Sequence, residues 1–95
     1  MLNCIRKFTV TLTILDELAD KIDIQYTKVR KLMREFDDTK LYDRQYLIGL
    51  LRQINIDRKF IYHLRLVAGE RSYVTNEYFK LKRRYDRREK IIKTL

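Results

Sequence analysis

The chain has 95 residues, of which 45% are hydrophobic, and its formal net charge is +9. A chain of this length forms one domain with a thin core, so that a second copy or another partner is expected to add stability. It has no proline and only two glycines, Gly49 and Gly69, which favours helices over a turn-rich β fold. We therefore expect one all-α domain over residues 1–95, a small helical bundle, and a homodimer.

The composition argues against an enzyme, a metal site and a membrane span. Cys4 and His63 are the only residues of their types, so that neither an internal disulfide nor a zinc site can be assembled. Ser72 is the only serine and no glycine-rich phosphate loop is present, so we expect no catalytic residues and no cofactor. The apolar runs are far shorter than the roughly 20 residues that a membrane span needs. We expect a non-enzymatic, cytoplasmic protein.

The apolar periodicity divides the chain into four predicted segments. Residues 1–13 alternate apolar residues with threonines near their end, which is typical of an arm or a short strand. Helical spacing begins at about Ile14 and continues to residue 36, with a pinch at Asp23 to Gln25. The segment 37–40 is a polar connector, and residues 42–68 form a helical pair with a similar pause at Asn55 to Asp57. The boundary at 68–72 precedes a basic helix over residues 75–95, capped by Ser72 or Thr75.

The two helical pairs resemble each other when the second is shifted by 32 residues. Asp23 then falls on Asn55, and both are residue types that tolerate the backbone of a tight turn. Two independent helical corners are the simpler explanation of this alignment, and an internal duplication is the alternative. The matched apolar residues are Leu18, Ile22, Ile24, Val29 and Leu32, which fall on Leu50, Ile54, Ile56, Ile61 and Leu64.

The segment from Leu18 to Glu35 resembles the helix-turn-helix of bacterial and phage DNA-binding domains. Small Ala19 occupies the position where the two helices cross, and Ile24 follows the turn and fills the corner. Asp23 stands where glycine is most frequent in that motif. The resemblance implies that helix 26–36 reads the major groove of duplex DNA, as in a regulator of transcription or replication carried by a phage or mobile element. The residues that would face DNA are Gln25, Tyr26, Thr27, Lys28, Arg30, Lys31 and Arg34.

The positive charge is concentrated near the C-terminus. Eight basic residues lie between Lys80 and Lys93, against the two acids Asp86 and Glu89. Clustered cations are typical of proteins that bind polyanions, because neutralised phosphates release condensed counterions. We expect phosphate contacts from Lys80, Arg83, Arg84, Arg87 and Arg88.

Three other interpretations remain open from the sequence. A strand at residues 8–14 followed by helices resembles the ribbon-helix-helix repressors, in which Thr9, Thr11 and Thr13 would read bases. The heptad spacing of Leu15, Ile22, Val29 and Phe36 instead suits a helical module that binds an acidic protein partner without nucleic acid. A third possibility is RNA binding, in which bases stack on tyrosines of the basic tail, although half-buried tyrosines that cover a thin core are the simpler account.

Overall fold

The protein is a bundle of three α-helices in the part of the chain that the structure describes. The structure is a computed structural model, and it describes residues 9–35 and 41–95, with side chains omitted at residues 41–43. Helix α1 spans Leu12–Glu35, α2 spans Leu41–Leu66 and α3 spans Arg71–Thr94. These ranges contain no strand. The all-α prediction is confirmed.

Neighbouring helices in sequence run antiparallel, and ion pairs and hydrogen bonds between them fix their register. Arg65 of α2 pairs with Asp16 of α1 at 3.0 Å, and Arg58 pairs with Asp23 at 2.7 Å, so that α2 returns along α1. Helix α3 reverses direction again, since the hydroxyl of Tyr73, near the start of α3, lies 3.4 Å from the ring of His63, near the end of α2. Helices α1 and α3 are consequently parallel. This up-down-up arrangement decides which charged segments share an end of the bundle.

Each helix contributes one stripe of residues, spaced alternately by three and four, to a common core. Such spacing keeps a narrow stripe on one side of a helix and suits packing at shallow crossing angles. The buried apolar residues are Leu15, Leu18, Ile22 and Val29 in α1, Leu47, Leu50, Ile54, Ile61 and Leu64 in α2, and Val74, Tyr78, Leu81 and Ile92 in α3. Tyr85 packs half-buried against them. Burial raises the pKa of both Tyr78 and Tyr85 above the ordinary value, because it disfavours the phenolate.

The two predicted pinches are not turns. Helix α1 runs without interruption through Asp23, and α2 runs without interruption through Asn55. Ile24, which was expected to fill the corner of a helix-turn-helix, is 57% exposed. The predicted two-helix motif over residues 14–36 and the helical pair over residues 42–68 are therefore corrected to one long helix each. The apolar pattern pauses at these points because polar residues occupy core positions there.

The ends of the helices also differ from the sequence prediction. Helix α1 begins at Leu12, two residues before the expected start, and the side-chain oxygen of Thr11 accepts a hydrogen bond from the amide of Ile14 at 3.3 Å. Residues 9–11 form neither helix nor strand, so the strand required by the ribbon-helix-helix alternative is absent from the described part of residues 8–14. Helix α3 begins at Arg71, which places the predicted cap Ser72 inside the helix. The connector at 37–40 lies outside the described residues.

The loop between α2 and α3 falls where the sequence predicted a boundary. Residues 67–70 connect the helices, and the amide of Glu70 donates to the carbonyl of Val67 at 2.9 Å. None of the helices in the described ranges combines the length and the apolar character that crossing a membrane requires.

Candidate nucleic-acid interface

A layer of polar side chains crosses the centre of the bundle and links all three helices. Gln25 of α1, Asp57 of α2 and Arg88 of α3 are 1%, 2% and 2% exposed. Arg88 donates from Nε to Gln25 Oε1 at 3.2 Å and from Nη1 to Asp57 Oδ2 at 2.6 Å. Arg84 adds a hydrogen bond to Asp57 from Nε at 3.0 Å and another from Nη2 at 2.9 Å. We call these four residues the polar layer.

The polar layer removes Gln25 from the predicted DNA-reading surface. Its amide nitrogen donates to the backbone carbonyl of Tyr85 at 3.0 Å and to Glu89 Oε1 at 3.2 Å, while its oxygen accepts from Arg88. A buried amide needs such partners, because leaving a buried donor or acceptor unpaired costs roughly 1–3 kcal/mol. The prediction that Gln25 reads a base is wrong, since its side chain holds α1 to α3.

Two other predicted reading residues are engaged within the bundle. The ring of Tyr26 is half-buried and lies under the guanidinium of Arg58, whose carbon is 4.1 Å from the ring centre. The guanidinium of Arg30 lies over the same ring at 5.6 Å. The Thr27 hydroxyl donates to the backbone carbonyl of Asp23 at 3.1 Å. The ring face of Tyr26 and the hydroxyl proton of Thr27 are thus already used within the bundle.

The cations of the predicted reading helix are accessible. Lys28, Arg30, Lys31 and Arg34 of α1 are all exposed. The two halves of α1 carry opposite charge, because four of its acids, Asp16, Glu17, Asp20 and Asp23, lie in the first half and these cations lie in the second. This division leaves the C-terminal half of α1 positive.

The five residues expected to contact phosphate in α3 fall into three groups. Arg83 and Arg87 are exposed and form no ion pair or hydrogen bond with another described residue. Arg84 and Arg88 belong to the polar layer. The prediction is wrong for Arg88, which is buried. Arg84 donates hydrogen bonds to Asp57 from two of its three nitrogens. Lys80 pairs with Glu77 at 2.9 Å in the opposite half of the helix.

Because α1 and α3 are parallel, their cationic C-terminal halves lie at the same end of the bundle. The two segments are separated by some fifty residues in sequence, and the fold makes them neighbours. We call this region the basic end. The exposed cations that α1 and α3 bring to it are Lys28, Arg30, Lys31 and Arg34 of α1 and Arg83, Arg87, Lys90 and Lys93 of α3.

A groove between α2 and α3 opens beside the basic end. Its volume is about 690 Å³, and its lining includes Tyr46, Gly49, Gln53, Ile56, Arg87 and Ile91 together with three members of the polar layer. We call it the α2/α3 groove. The sequence prediction missed it entirely, because its walls come from two helices and their side chains follow no motif.

The polar layer could have been found from spacing alone. Gln25 lies seven residues after Leu18, and Asp57 lies seven residues after Leu50, so both continue a stripe of buried leucines. The 32-residue shift that aligns the two helices also aligns Gln25 with Asp57. The signal was the heptad register, which places these residues in the core despite their polarity.

No family model matches the chain, and neither a curated protein nor a solved structure matches it. Among the described residues, no group of three or more histidine, cysteine and acidic side chains is arranged to hold a metal ion.

Proposed function

We propose that this protein acts by binding nucleic acid, with duplex DNA as the expected ligand, and that the basic end supplies the contacts. The observation that carries the proposal is the parallel packing of α1 and α3, which brings two exposed cationic segments to the same end of the bundle. Cations on adjoining parallel helices match a ligand whose phosphates repeat along its length. A role as a regulator of phage or mobile-element DNA is the biological setting in which such a small basic binder fits.

The proposed contact differs from that of a helix-turn-helix. Contacts come from Lys28, Arg30, Lys31 and Arg34 on the outer side of an unbroken helix, and Arg83 and Lys90 of α3 add phosphate contacts. Phosphate contacts position a protein on DNA without reading its sequence. Affinity for duplexes of unrelated sequence should therefore differ little.

Fluorescence anisotropy with a labelled duplex at low salt tests the proposal. Changing Lys31, Arg34 and Lys90 to glutamine should weaken binding by about tenfold or more, because three phosphate contacts are lost. The matched control changes Lys59, Arg71 and Lys80 to glutamine and removes the same charge away from the basic end. Equal loss in both variants, or no binding by the unaltered protein, would overturn the proposal.

The alternative is a helical module that binds an acidic protein surface. The exposed apolar residues Tyr46 and Ile56 beside the arginines of the α2/α3 groove are the observation that favours it. Competition separates the two functions: a stable complex with an acidic partner that duplex DNA fails to displace would favour the protein-binding module over the nucleic-acid binder. The expected homodimer stays a prediction, which sedimentation equilibrium measures directly.

A further inference from the structure

The α2/α3 groove has a composition that the bundle itself does not require. Gly49 lies in the interior of α2, where glycine costs roughly 0.5–1 kcal/mol relative to alanine. A Cβ atom added at Gly49 would meet nothing within 4 Å, so that packing inside the bundle does not explain the glycine. The missing side chain leaves the backbone of α2 open to whatever enters the groove.

One side of the groove carries excess positive charge. Asp57 is the single acid of the polar layer, and it faces the guanidinium groups of both Arg84 and Arg88. Arg87 adds a third guanidinium to the groove and has no ion pair with another described residue. The Nη2 atom of Arg88 is buried without a hydrogen-bond partner among the described residues. The groove therefore suits a ligand that brings an anionic group with several acceptor oxygens.

The rest of the groove is apolar and amide-lined. Tyr46 and Ile56 are 42% and 66% exposed, which leaves apolar surface in water. Gln45 and Gln53 are exposed on the same helix and carry both donors and acceptors. A flat aromatic ring can pack against Tyr46 and the open backbone at Gly49, while polar atoms on its edge meet the glutamine amides.

We propose that the α2/α3 groove binds one unpaired nucleotide, with its base against Tyr46 and Gly49 and its phosphate on Arg84 and Arg87. The groove volume of about 690 Å³ lies in the range of roughly 300–1,000 Å³ that is usual for small-molecule sites. This inference rests on the proposed nucleic-acid function and adds the class of ligand to it. A base inside a duplex is paired and stacked, so the groove takes nucleotides from single-stranded segments.

A nucleotide fits this groove better than an amphipathic helix of a protein partner does. The apolar stripe of a helix would cover Gln53 and Arg87 and leave them without partners, which costs roughly 1–3 kcal/mol for each buried polar group. A second copy of the chain is disfavoured as well, because two such grooves face to face would bring the arginines of both copies together. The phosphate and the base edge of a nucleotide satisfy these same groups.

The test uses thymidine 5′-monophosphate, a single-stranded thymidine 12-mer, a 12-base-pair duplex, inorganic phosphate and a glutamate-rich amphipathic helical peptide. Amide shifts measured by NMR should move at Gly49 and Gln53 with the mononucleotide, and inorganic phosphate should leave them unchanged. Gly49→Leu fills the groove and should lower the affinity for the single-stranded 12-mer by about tenfold, which is within the range measured for the loss of one stacked base. The affinity for the duplex should stay unaltered. Tyr62→Leu is the control, since it places a leucine on the exposed side of the same helix, outside the groove, without a change of charge.

The outcomes separate the groove from the basic end. Equal shifts with inorganic phosphate, or single-strand affinity that Gly49→Leu leaves intact, would overturn the nucleotide site while duplex binding stands. Binding of the peptide at Gly49 without any effect of the mononucleotide would overturn it in favour of a protein partner. No binding of any nucleic acid by the unaltered protein would overturn the proposed function, and the nucleotide site with it. Circular dichroism checks that each variant remains helical.

Discussion

Arg88 lies in the buried stripe of α3, seven residues after Leu81 and four residues before Ile92, where an apolar residue is expected. It is buried with Gln25 and Asp57, and each of these side chains meets its partners only across a helix interface. Desolvating an ion pair is costly, so such a pair contributes little net stability even when it forms good hydrogen bonds. The polar layer matters for stability chiefly because breaking it leaves charges buried without compensation.

Removing one member of the polar layer should lower the free energy of unfolding far more than replacing all its buried members with apolar residues. Asp57→Ala leaves Arg88 buried without a counter-charge and should lower the free energy of unfolding by about 3–5 kcal/mol. Changing Gln25, Asp57 and Arg88 together to Leu, Leu and Met should be neutral or stabilising, because Arg84 is 41% exposed and can turn to solvent. Urea denaturation measures both, and equal destabilisation of the two variants would contradict this account.

At the residue scale the sequence prediction failed where polar residues are buried. Gln25 was assigned to the DNA-facing surface because glutamine reads adenine, although its heptad position pointed inward. Apolar spacing was the better guide, since Leu15, Ile22 and Val29, which share a heptad spacing, all lie in the core. Polarity is a weaker guide than register whenever a partner elsewhere in the chain satisfies the polar group.

At the scale of the element, α1 and α2 are longer than their apolar patterns suggested. An interruption of the hydrophobic pattern was interpreted as an interruption of the helix. The backbone hydrogen bonds of a helix do not require an apolar side chain at every core position, so Gln25 and Asp57 are accommodated without a turn. The break at residues 67–70 was found correctly, because there the helical spacing itself ends and Gly69 follows.

Helix α2 carries a glycine whose cost can be measured. Gly49→Ala should raise the free energy of unfolding by about 0.5–1 kcal/mol, because the variant loses less backbone entropy on folding and its methyl group meets no other atom. Thermal or urea denaturation of the two proteins checks this value. Destabilisation by alanine would show that the position is more crowded than its surroundings indicate.

At the scale of the whole molecule, the direction of α3 determines where the positive charge lies. A bundle in which α1 and α3 ran antiparallel would place Arg83 to Lys93 beside the four acids of α1 and would spread the charge evenly. The observed arrangement leaves one end close to balanced and the other strongly cationic. A surface of this kind attracts polyanions over a distance that shrinks as salt increases.

The salt dependence of DNA binding should report the basic end directly. For duplex DNA the logarithm of the association constant falls with the logarithm of the salt concentration by about 0.9 per phosphate neutralised. Changing Lys31, Arg34 and Lys90 to glutamine should reduce the slope by about 0.9 for each residue that contacts phosphate. Anisotropy titrations from low to moderate salt measure it. A slope that falls equally when Lys59, Arg71 and Lys80 are changed would indicate diffuse attraction without a defined surface.

The sequence by itself determined the helical class, the positions of most core residues and the excess of positive charge. These properties follow from local periodicity and composition, which need no knowledge of what each helix packs against. Only the tertiary structure decided which residue satisfies Gln25 and Asp57 inside the core, since Arg88 reaches them from α3, 63 and 31 residues away. It also decided that two distant cationic segments form one end and that α2 and α3 leave a groove beside it. These features are contacts between residues that are far apart in sequence, and only the packing of the helices brings such residues together.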